Sequence, residues 1–218
     1  MYYIILSMLY YKTYHLVMAN AIVQSRISLR PFKDDDIDDV LLWLGDDRVV
    51  ENTRLEMLSN GTYNENLNTQ MIERMRGRDK TCNSREEALN FIKNKWIYPS
   101  YQSICLDDHS IGIFWILSYN DWKHSANLGY AIGFKYWGQG IVTKGLKILL
   151  SKVFQEFHGL VRLQALTLVE GKASQRVLEK VGFHREGLLR KYVNHKGCIE
   201  DLYIFSFLST DEISSGVV

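Results

Sequence analysis

The sequence predicts a single α/β domain interrupted by one long insertion, and three observations carry that prediction. A chain of 218 residues is the size of one domain and can bury a core without covalent staples. From residue 26 to residue 208, stretches of period-two apolar alternation are interleaved with stretches of helical spacing. One segment, residues 52–83, follows neither period: it holds six asparagines, two glycines and the cluster Arg74, Arg76 and Arg78, and reads as a flexible insertion.

The composition narrows the function classes. Hydrophobic residues make up 46% and charged residues 23%, the balance of an ordinary globular chain. The 26 basic and 25 acidic residues give a net charge of +1, which excludes a strongly basic nucleic-acid binder but permits a local basic patch facing a phosphorylated cofactor. Cys82, Cys105 and Cys198 are odd in number and lack C-x-x-C spacing. Neither a disulfide framework nor a zinc site is expected, no His-x-x-x-His pattern suggests another metal, and the cysteine usage fits a cytoplasmic setting.

Taken in order, residues 1–23 read as an N-terminal extension. Its apolar run, Tyr2 to Tyr11, falls short of the ~20 residues of a membrane span, and no basic residue precedes it as in a secretory signal. Arg26 to Arg30 alternates apolar and charged side chains, as a half-buried strand does. Asp34 to Asp36 place caps and negative charge before a helix whose apolar stripe is Ile37, Val40, Leu41 and Leu44. Beyond the insertion, Ser84-Arg85-Glu86-Glu87 is a capping box opening a helix through Trp96, with Ala88, Phe91 and Ile92 facing the core.

Residues 100–106 and 111–119 read as a hairpin turning at Asp107-Asp108-His109. Residues 125–134 form a strand containing Gly129 and Gly133, and interior strand glycines mark a close backbone approach. A helix from about Gly140 to Phe157 carries Leu146, Leu149, Leu150 and Val153 at helical spacing. Residues 161–169 alternate as a strand, and Lys172 to Val181 is a short helix with Val177, Leu178 and Val181 inward. Strands at 184–193 and 198–208 flank a turn at Asn194–Gly197. The domain is bounded at 24–210, which leaves residues 211–218 as a tail.

The chemistry concentrates in residues 125–190. Trp137-Gly138-Gln139-Gly140-Ile141-Val142-Thr143 lies between a strand and an amphipathic helix. Gly138 and Gly140 let backbone N–H groups approach a phosphate, and the helix start adds unpaired donors and a positive dipole end. The P-loop lysine and hydroxyl are absent, and Thr143 stands where the dinucleotide fingerprint needs a third glycine. A pyrophosphate held by backbone amides remains.

These residues carry a resemblance. Trp137-Gly138-Gln139-Gly140-Ile141-Val142 resembles the Q/R-x-x-G-x-G/A acetyl-CoA motif of the GNAT acyltransferase superfamily, with Trp137 in the Q/R place and Val142 in the last. Its Trp-Gly-x-Gly form is similar to the branch of the ribosomal-protein-alanine N-acetyltransferases. Residues Lys172 to Phe183 resemble that branch's N-x-x-S-x-x-x-L-x-K-x-G-F signature, followed by Arg185-Glu186-Gly187, and Leu128-Gly129-Tyr130 matches the strand before the cofactor loop.

The resemblance implies an α+β GNAT-like fold: a mixed, mostly antiparallel sheet, flanked by helices and splayed open to admit the pantetheine arm. It implies acetyl-CoA as co-substrate, bound by Trp137, Gly138, Gln139, Gly140, Ile141, Val142, Thr143, Gly171 and Ser174, with no metal. It also implies direct attack of a primary amine on the thioester. Backbone N–H groups of the strand carrying Gly129–Phe134 orient the carbonyl. Ser174 protonates the thiolate or binds the cofactor, and Tyr130 contacts the thioester region. Lys135, Lys144 and Lys172 are candidates for the CoA phosphates, and His124, Asp121 and Glu186 for proton relay.

Two departures bear on the acceptor. Asn127 stands where the family has Glu, and Gly171 where it has Asn. Asn127 cannot act as a base, so the site suits amines that are already partly neutral. An α-amine with pKa near ~7.7 is roughly one-third neutral at pH 7.4, whereas a lysine near ~10.4 is only ~0.1% neutral. The expected acceptor is therefore a protein or peptide N-terminus. A small-molecule amine, such as a polyamine or an antibiotic amine, and a catalytically weak acyl-CoA-binding protein on the same fold are the alternatives. No nucleic-acid or membrane partner is expected.

Overall fold

The computed structural model describes residues 26–52, 82–93, 100–118, 124–195 and 198–214. Seven strands form one sheet in the order β1-β2-β3-β4-β5-β7-β6. They are β1 (Ile27–Arg30), β2 (Ser100–Leu106), β3 (His109–Ser118), β4 (Ser125–Ile132), β5 (Arg162–Leu168), β6 (His184–His195) and β7 (Cys198–Leu208). Every neighbouring pair is antiparallel except β4–β5. A parallel pair needs a crossover, and the chain supplies it with helix α4 (Ile141–Glu156). The sheet is thus mixed and mostly antiparallel, the α+β arrangement the resemblance implied.

Helices cover both faces. On one face α4 and α5 (Lys172–Val181) pack Ile141, Leu146, Leu149, Val153, Leu178 and Val181 against Phe114, Ile116, Leu128, Leu163, Phe205 and Phe207. On the other, α1 (Ile37–Leu44), α2 (Asp47–Asn52) and α3 (Arg85–Lys93) bring Val40, Trp43, Val49, Ala88 and Ile92 onto Ile113, Trp115, Leu117 and Ala131. Each such buried aliphatic or aromatic side chain contributes ~1.5–3 kcal/mol relative to exposure. Gly145 of α4 lets the helix close onto the sheet: a Cβ there would stand 2.8 Å from the Phe114 ring.

The caps follow from sequence. Ser84 Oγ accepts from the Glu87 N–H at 3.2 Å, while the Glu87 carboxylate reaches back one residue further than a standard box, to the Asn83 N–H at 2.7 Å. Gly182, at φ +106°, ends α5, and the Phe183 N–H bonds the Leu178 carbonyl at 3.0 Å. The β2–β3 hairpin turns on Asp107 and Asp108, both left-handed, as a two-residue turn matched to strand twist requires.

Several boundaries differ from the sequence reading. His109 belongs to β3 rather than the turn, and β4 stops at Ile132, with Phe134–Tyr136 forming a 3-10 turn. Asn194 and His195 are not turn residues: they pair with Ile199 and Cys198 at the end of β6. The α3 helix is described to Lys93, and Trp96 lies outside the described residues. Trp43, absent from the expected stripe, is buried on α1, whereas Leu41 is only partly so. The insertion also has firmer edges than 52–83. Residues 47–52 are helical, and Cys82 is buried in the α1–α3 core with its N–H on the Leu44 carbonyl at 3.2 Å. Residues 53–81, with Arg74, Arg76 and Arg78, lie outside the described residues.

Candidate active site: a forked sheet and an amide-lined loop

β4 and β5 are paired over only three positions: Ser125 with Arg162, Ala126 with Leu163, and Asn127 with Gln164. Beyond them the ladder stops, so the sheet forks. Antiparallel strands point alternate residues' N–H and C=O groups to opposite edges. The Gly133 N–H bonds the Ile111 carbonyl of β3 at 2.8 Å, which directs the odd-numbered residues of β4 toward β3. The Leu128 N–H closes the last bridge on the Gln164 carbonyl, and the Leu128 carbonyl with the backbone groups of Tyr130 and Ile132 faces the open side. The Ile132 carbonyl accordingly accepts the Trp137 indole N–H at 2.8 Å.

On β5 the Val161 carbonyl accepts from Ser209 at 2.9 Å, which turns the even-numbered residues toward β4. The Leu168 carbonyl, at the far end of this edge, is taken by the Gly171 N–H at 3.0 Å and the buried Gln175 side chain at 2.7 Å. The Leu128 carbonyl and the edge groups of Tyr130 and Leu166 line a slot suited to an extended chain that carries amides.

The loop from Gly138 to Thr143 follows β4 and leads into α4. Gly138 and Gly140 both have φ of +73°, a conformation costly to residues with a Cβ. Lys144 is the first helical residue bonded back, to Gly140 at 3.0 Å. Among the described residues the N–H groups of Gly138 to Thr143 have no backbone acceptor. Ile141 and Thr143 are buried. Trp137 and Gln139 spend their side chains on bracing the loop, the latter on the Lys135 carbonyl at 2.7 Å. Around it, Phe134 and Trp137 are exposed with ring centroids 5.0 Å apart, and the Arg48 guanidinium lies 3.5 Å from the Phe134 centroid.

Tyr130 and Ser174 meet. The Tyr130 hydroxyl donates to the Ser174 carbonyl at 3.3 Å, so a β4 side chain reaches the first turn of α5. Burial pushes this hydroxyl up to about 12, so it is a donor throughout the physiological range. Asn127 lies elsewhere. Strand alternation sets it, with Gly129 and Ala131, on the α1–α3 face, opposite Tyr130, and its Oδ1 is buried with no hydrogen-bond partner among the described residues. Gly171 precedes α5 without a side-chain cap, and a Cβ there would come 3.2 Å from the Leu168 carbonyl.

The relay candidates divide. The Arg162 guanidinium grips Glu186 at 2.8 and 2.5 Å, and the Ser206 hydroxyl donates to it at 2.7 Å. Arg162 first, then Ser206, hold this carboxyl down at about 2, which makes it a poor base. His124 is exposed, and Asp121 lies outside the described residues. Of the lysines, Lys172 is on the Val169 carbonyl at 2.8 Å and Lys135 lies over the Tyr136 ring at 4.9 Å. Cys105 is fully buried beside Ser103, and burial pushes its thiol up, as befits an inert core residue. The sequence reading missed Gln175 and the Arg162–Glu186–Ser206 clamp. Gln175, one helical turn after Gly171 on a short helix, was the only available signal for the first.

Comparison with known proteins gives the same picture. The sequence profile described as acetyltransferase (GNAT) domain matches residues 26–184. The chain is 35% identical over 88 residues to the probable N-acetyltransferase YjcK of Bacillus subtilis, a match covering 40% of this chain and 48% of the relative. It is 28% identical over 93 residues to the ribosomal protein uS5-alanine N-acetyltransferase of Escherichia coli, covering 43% of this chain and 47% of that one. The chain thus spans about half the length of the curated relatives it matches. Among solved structures, the ribosomal L7/L12 α-N-protein acetyltransferase RimL in complex with coenzyme A superposes with a TM-score of 0.64 at 16% identity, covering 85% of this chain and 96% of that one. With its forked mixed sheet, its amide-lined loop and a profile match over most of its length, this chain belongs to the GNAT acetyltransferase family.

Proposed function

We propose that the protein is an acetyl-CoA-dependent N-acetyltransferase whose acceptor is a protein or peptide α-amine. The observation that carries the reading is the fork: a slot edged by the free Leu128 carbonyl and the free backbone groups of Tyr130 and Leu166 that runs toward a loop of unpaired N–H groups. The residues fit acetyl-CoA. In this reading the slot pairs with the amides of the pantetheine arm, and the loop from Gly138 to Thr143 holds the pyrophosphate. A β4-edge N–H polarises the acetyl carbonyl, where negative charge develops. The neutral amine attacks that carbon; the C–N bond forms, the C–S bond breaks, and the proton lost from nitrogen reaches the thiolate through solvent or the Ser174 hydroxyl.

Support for the α-amine comes from two sides. The E. coli relative carries an alanine N-acetyltransferase name. Neither Asn127 nor the clamped Glu186 offers a base strong enough for lysine. Thiol release from acetyl-CoA with a panel of peptide N-termini, lysine ε-amines and polyamines tests the reading. Turnover fastest on peptide N-termini is expected, and equal rates on ε-amines would sink the acceptor assignment. Asn127 also favours a second reading, an acyl-CoA-binding protein without turnover, which the absence of thiol release with every amine would select.

A further inference from the structure

We infer that the Thr167 hydroxyl is a catalytic group of the fork, donating a hydrogen bond to the thiolate released when the thioester is cleaved. This rests on the N-acetyltransferase reading above. Thr167 lies on β5 and is only 6% exposed. Its Oγ1 is buried and has no hydrogen-bond partner among the described residues. A buried hydroxyl without a partner is unfavourable in the free protein, and a ligand that reaches it removes that cost.

The strand register carries this hydroxyl to the gap. β4 and β5 run parallel, and their last rung sets Asn127 opposite Gln164. Three residues further on, Tyr130 and Thr167 stand level, one on each prong. Alternation turns both side chains to the α4–α5 face. Leu163, Ala165 and Thr167 are the buried residues of β5, and the buried Ala126 and Leu128 precede Tyr130 on the same side of β4. With the Leu128 N–H spent on the last rung, the Tyr130 N–H is the first free donor of the β4 edge. A thioester carbonyl held there sets its sulfur in the gap, level with Thr167 and one strand spacing, ~4.8 Å, from the β5 backbone. A threonine side chain closes that distance to hydrogen-bond range.

The floor beneath the gap calls for such a donor. Leu128, Ala165 and Leu178 are buried in one apolar cluster. A thiolate forming over that floor is shielded from water, which opposes its charge. Two neighbouring donors are already committed: the Tyr130 hydroxyl to the Ser174 carbonyl, and the Gln175 amide to the Leu168 and Val169 carbonyls. Thr167 is not. As the amine nitrogen bonds to the carbonyl carbon, the C–S electron pair passes to sulfur. Thr167 donates a hydrogen bond to that sulfur and keeps its proton, while the proton lost from nitrogen reaches sulfur through solvent or the Ser174 hydroxyl.

The test uses the full chain and two variants. Thr167→Val replaces the hydroxyl by a methyl group of nearly the same shape, and Thr167→Ser restores it. The thiol pKa of bound CoA is read from thiolate absorbance in the ultraviolet, with the desulfo-CoA complex as blank. Acetyl-CoA affinity, the melting temperature of the free protein and kcat on an alanine-initiated tetrapeptide are measured alongside. In Thr167→Val the melting temperature is expected not to fall and acetyl-CoA affinity to stay within about twofold. The bound thiol pKa is expected to rise by about one pH unit and kcat to drop about tenfold or more, the scale of one hydrogen bond to an ionised group, with Thr167→Ser restoring both. A wild-type thiol pKa or a wild-type kcat in Thr167→Val would overturn the inference. So would a marked loss of melting temperature, which would show that the hydroxyl already has a structural partner. A wild-type protein that binds CoA but acetylates no amine overturns the underlying reading and this catalytic role with it, whereas wild-type turnover with an unshifted thiol pKa in Thr167→Val overturns the role of Thr167 alone.

Discussion

Gly129 and Trp115 occupy one space. A Cβ on Gly129 would stand 2.1 Å from Trp115 Cε2, and the indole is itself buried between β3 and the α1–α3 layer. Gly129→Ala is expected to destabilise the fold by roughly 1–3 kcal/mol, measured by urea unfolding, because the indole must leave a packed position. The sequence announced a close approach at this glycine but not what approaches, since Trp115 meets it only through the register of a hairpin 14 positions wide. Tyr130 lends itself to a second test. Its hydroxyl stays protonated until about pH 12, so its bond to Ser174 contributes equally at pH 6 and pH 9. Tyr130→Phe is expected to lose about 1 kcal/mol of stability at both values and to weaken acetyl-CoA binding several-fold by freeing the first turn of α5.

Among the elements, the cofactor loop and the β5–β7–β6 layer make separable predictions. Gly140→Glu adds a side chain at a left-handed position and a negative charge where phosphate would sit. Calorimetry is expected to show acetyl-CoA binding abolished in a variant whose circular dichroism is unchanged. The Arg162–Glu186 clamp spans β7 to tie β5 to β6. Glu186 is held at about 2 against an ordinary 4.5, a lowered carboxyl pKa, so its contribution is present in full above pH 4.5 and is lost as the pH falls toward 2. Its side chain is 42% exposed, so solvent screening limits that contribution to about 1 kcal/mol or less. Glu186→Gln should lower the melting temperature by a few degrees at pH 7, with the gap narrowing below pH 4.5.

Helices α4 and α5 were legible because glycine or a capping pattern stands at their ends and apolar spacing fills their middles. The end of β6 was not. Asn194 and His195 look like turn formers, but pairing with β7 overrides that preference after a bulge in which Lys191 takes φ +51° and its N–H bonds the Asp201 carboxylate at 2.7 Å. Cys82 was likewise assigned to the insertion, because a lone apolar residue beside polar neighbours shows no period until its burial against α1 is seen.

At the scale of the molecule, two apolar layers meet through a sheet whose halves share three residue pairs. Among the described residues no helix is long and apolar enough to cross a membrane. A ligand that fills the fork adds contacts between the halves that the unfolded chain cannot make. Acetyl-CoA at one hundred times its dissociation constant should add about 2.7 kcal/mol and raise the melting temperature by roughly 5–10 °C, with no rise in Gly140→Glu. Joining Glu51 to Cys82 through a short linker should preserve this shift, whereas a junction at Ser84 loses a buried side chain and is expected to cost more stability.

The fork also leaves a signature in time. The amide hydrogens of Tyr130 on one prong and Leu166 on the other sit inside strands yet lack a ladder partner across the gap. In hydrogen–deuterium exchange these two positions should behave like loop amides in the free protein, exchanging well ahead of Gly129 and Ala131, whose N–H groups face β3. Saturation with acetyl-CoA should slow Tyr130 and Leu166 while leaving Gly129 and Ala131 almost unmoved, an odd–even alternation in protection along β4 that a general tightening of the fold would not produce.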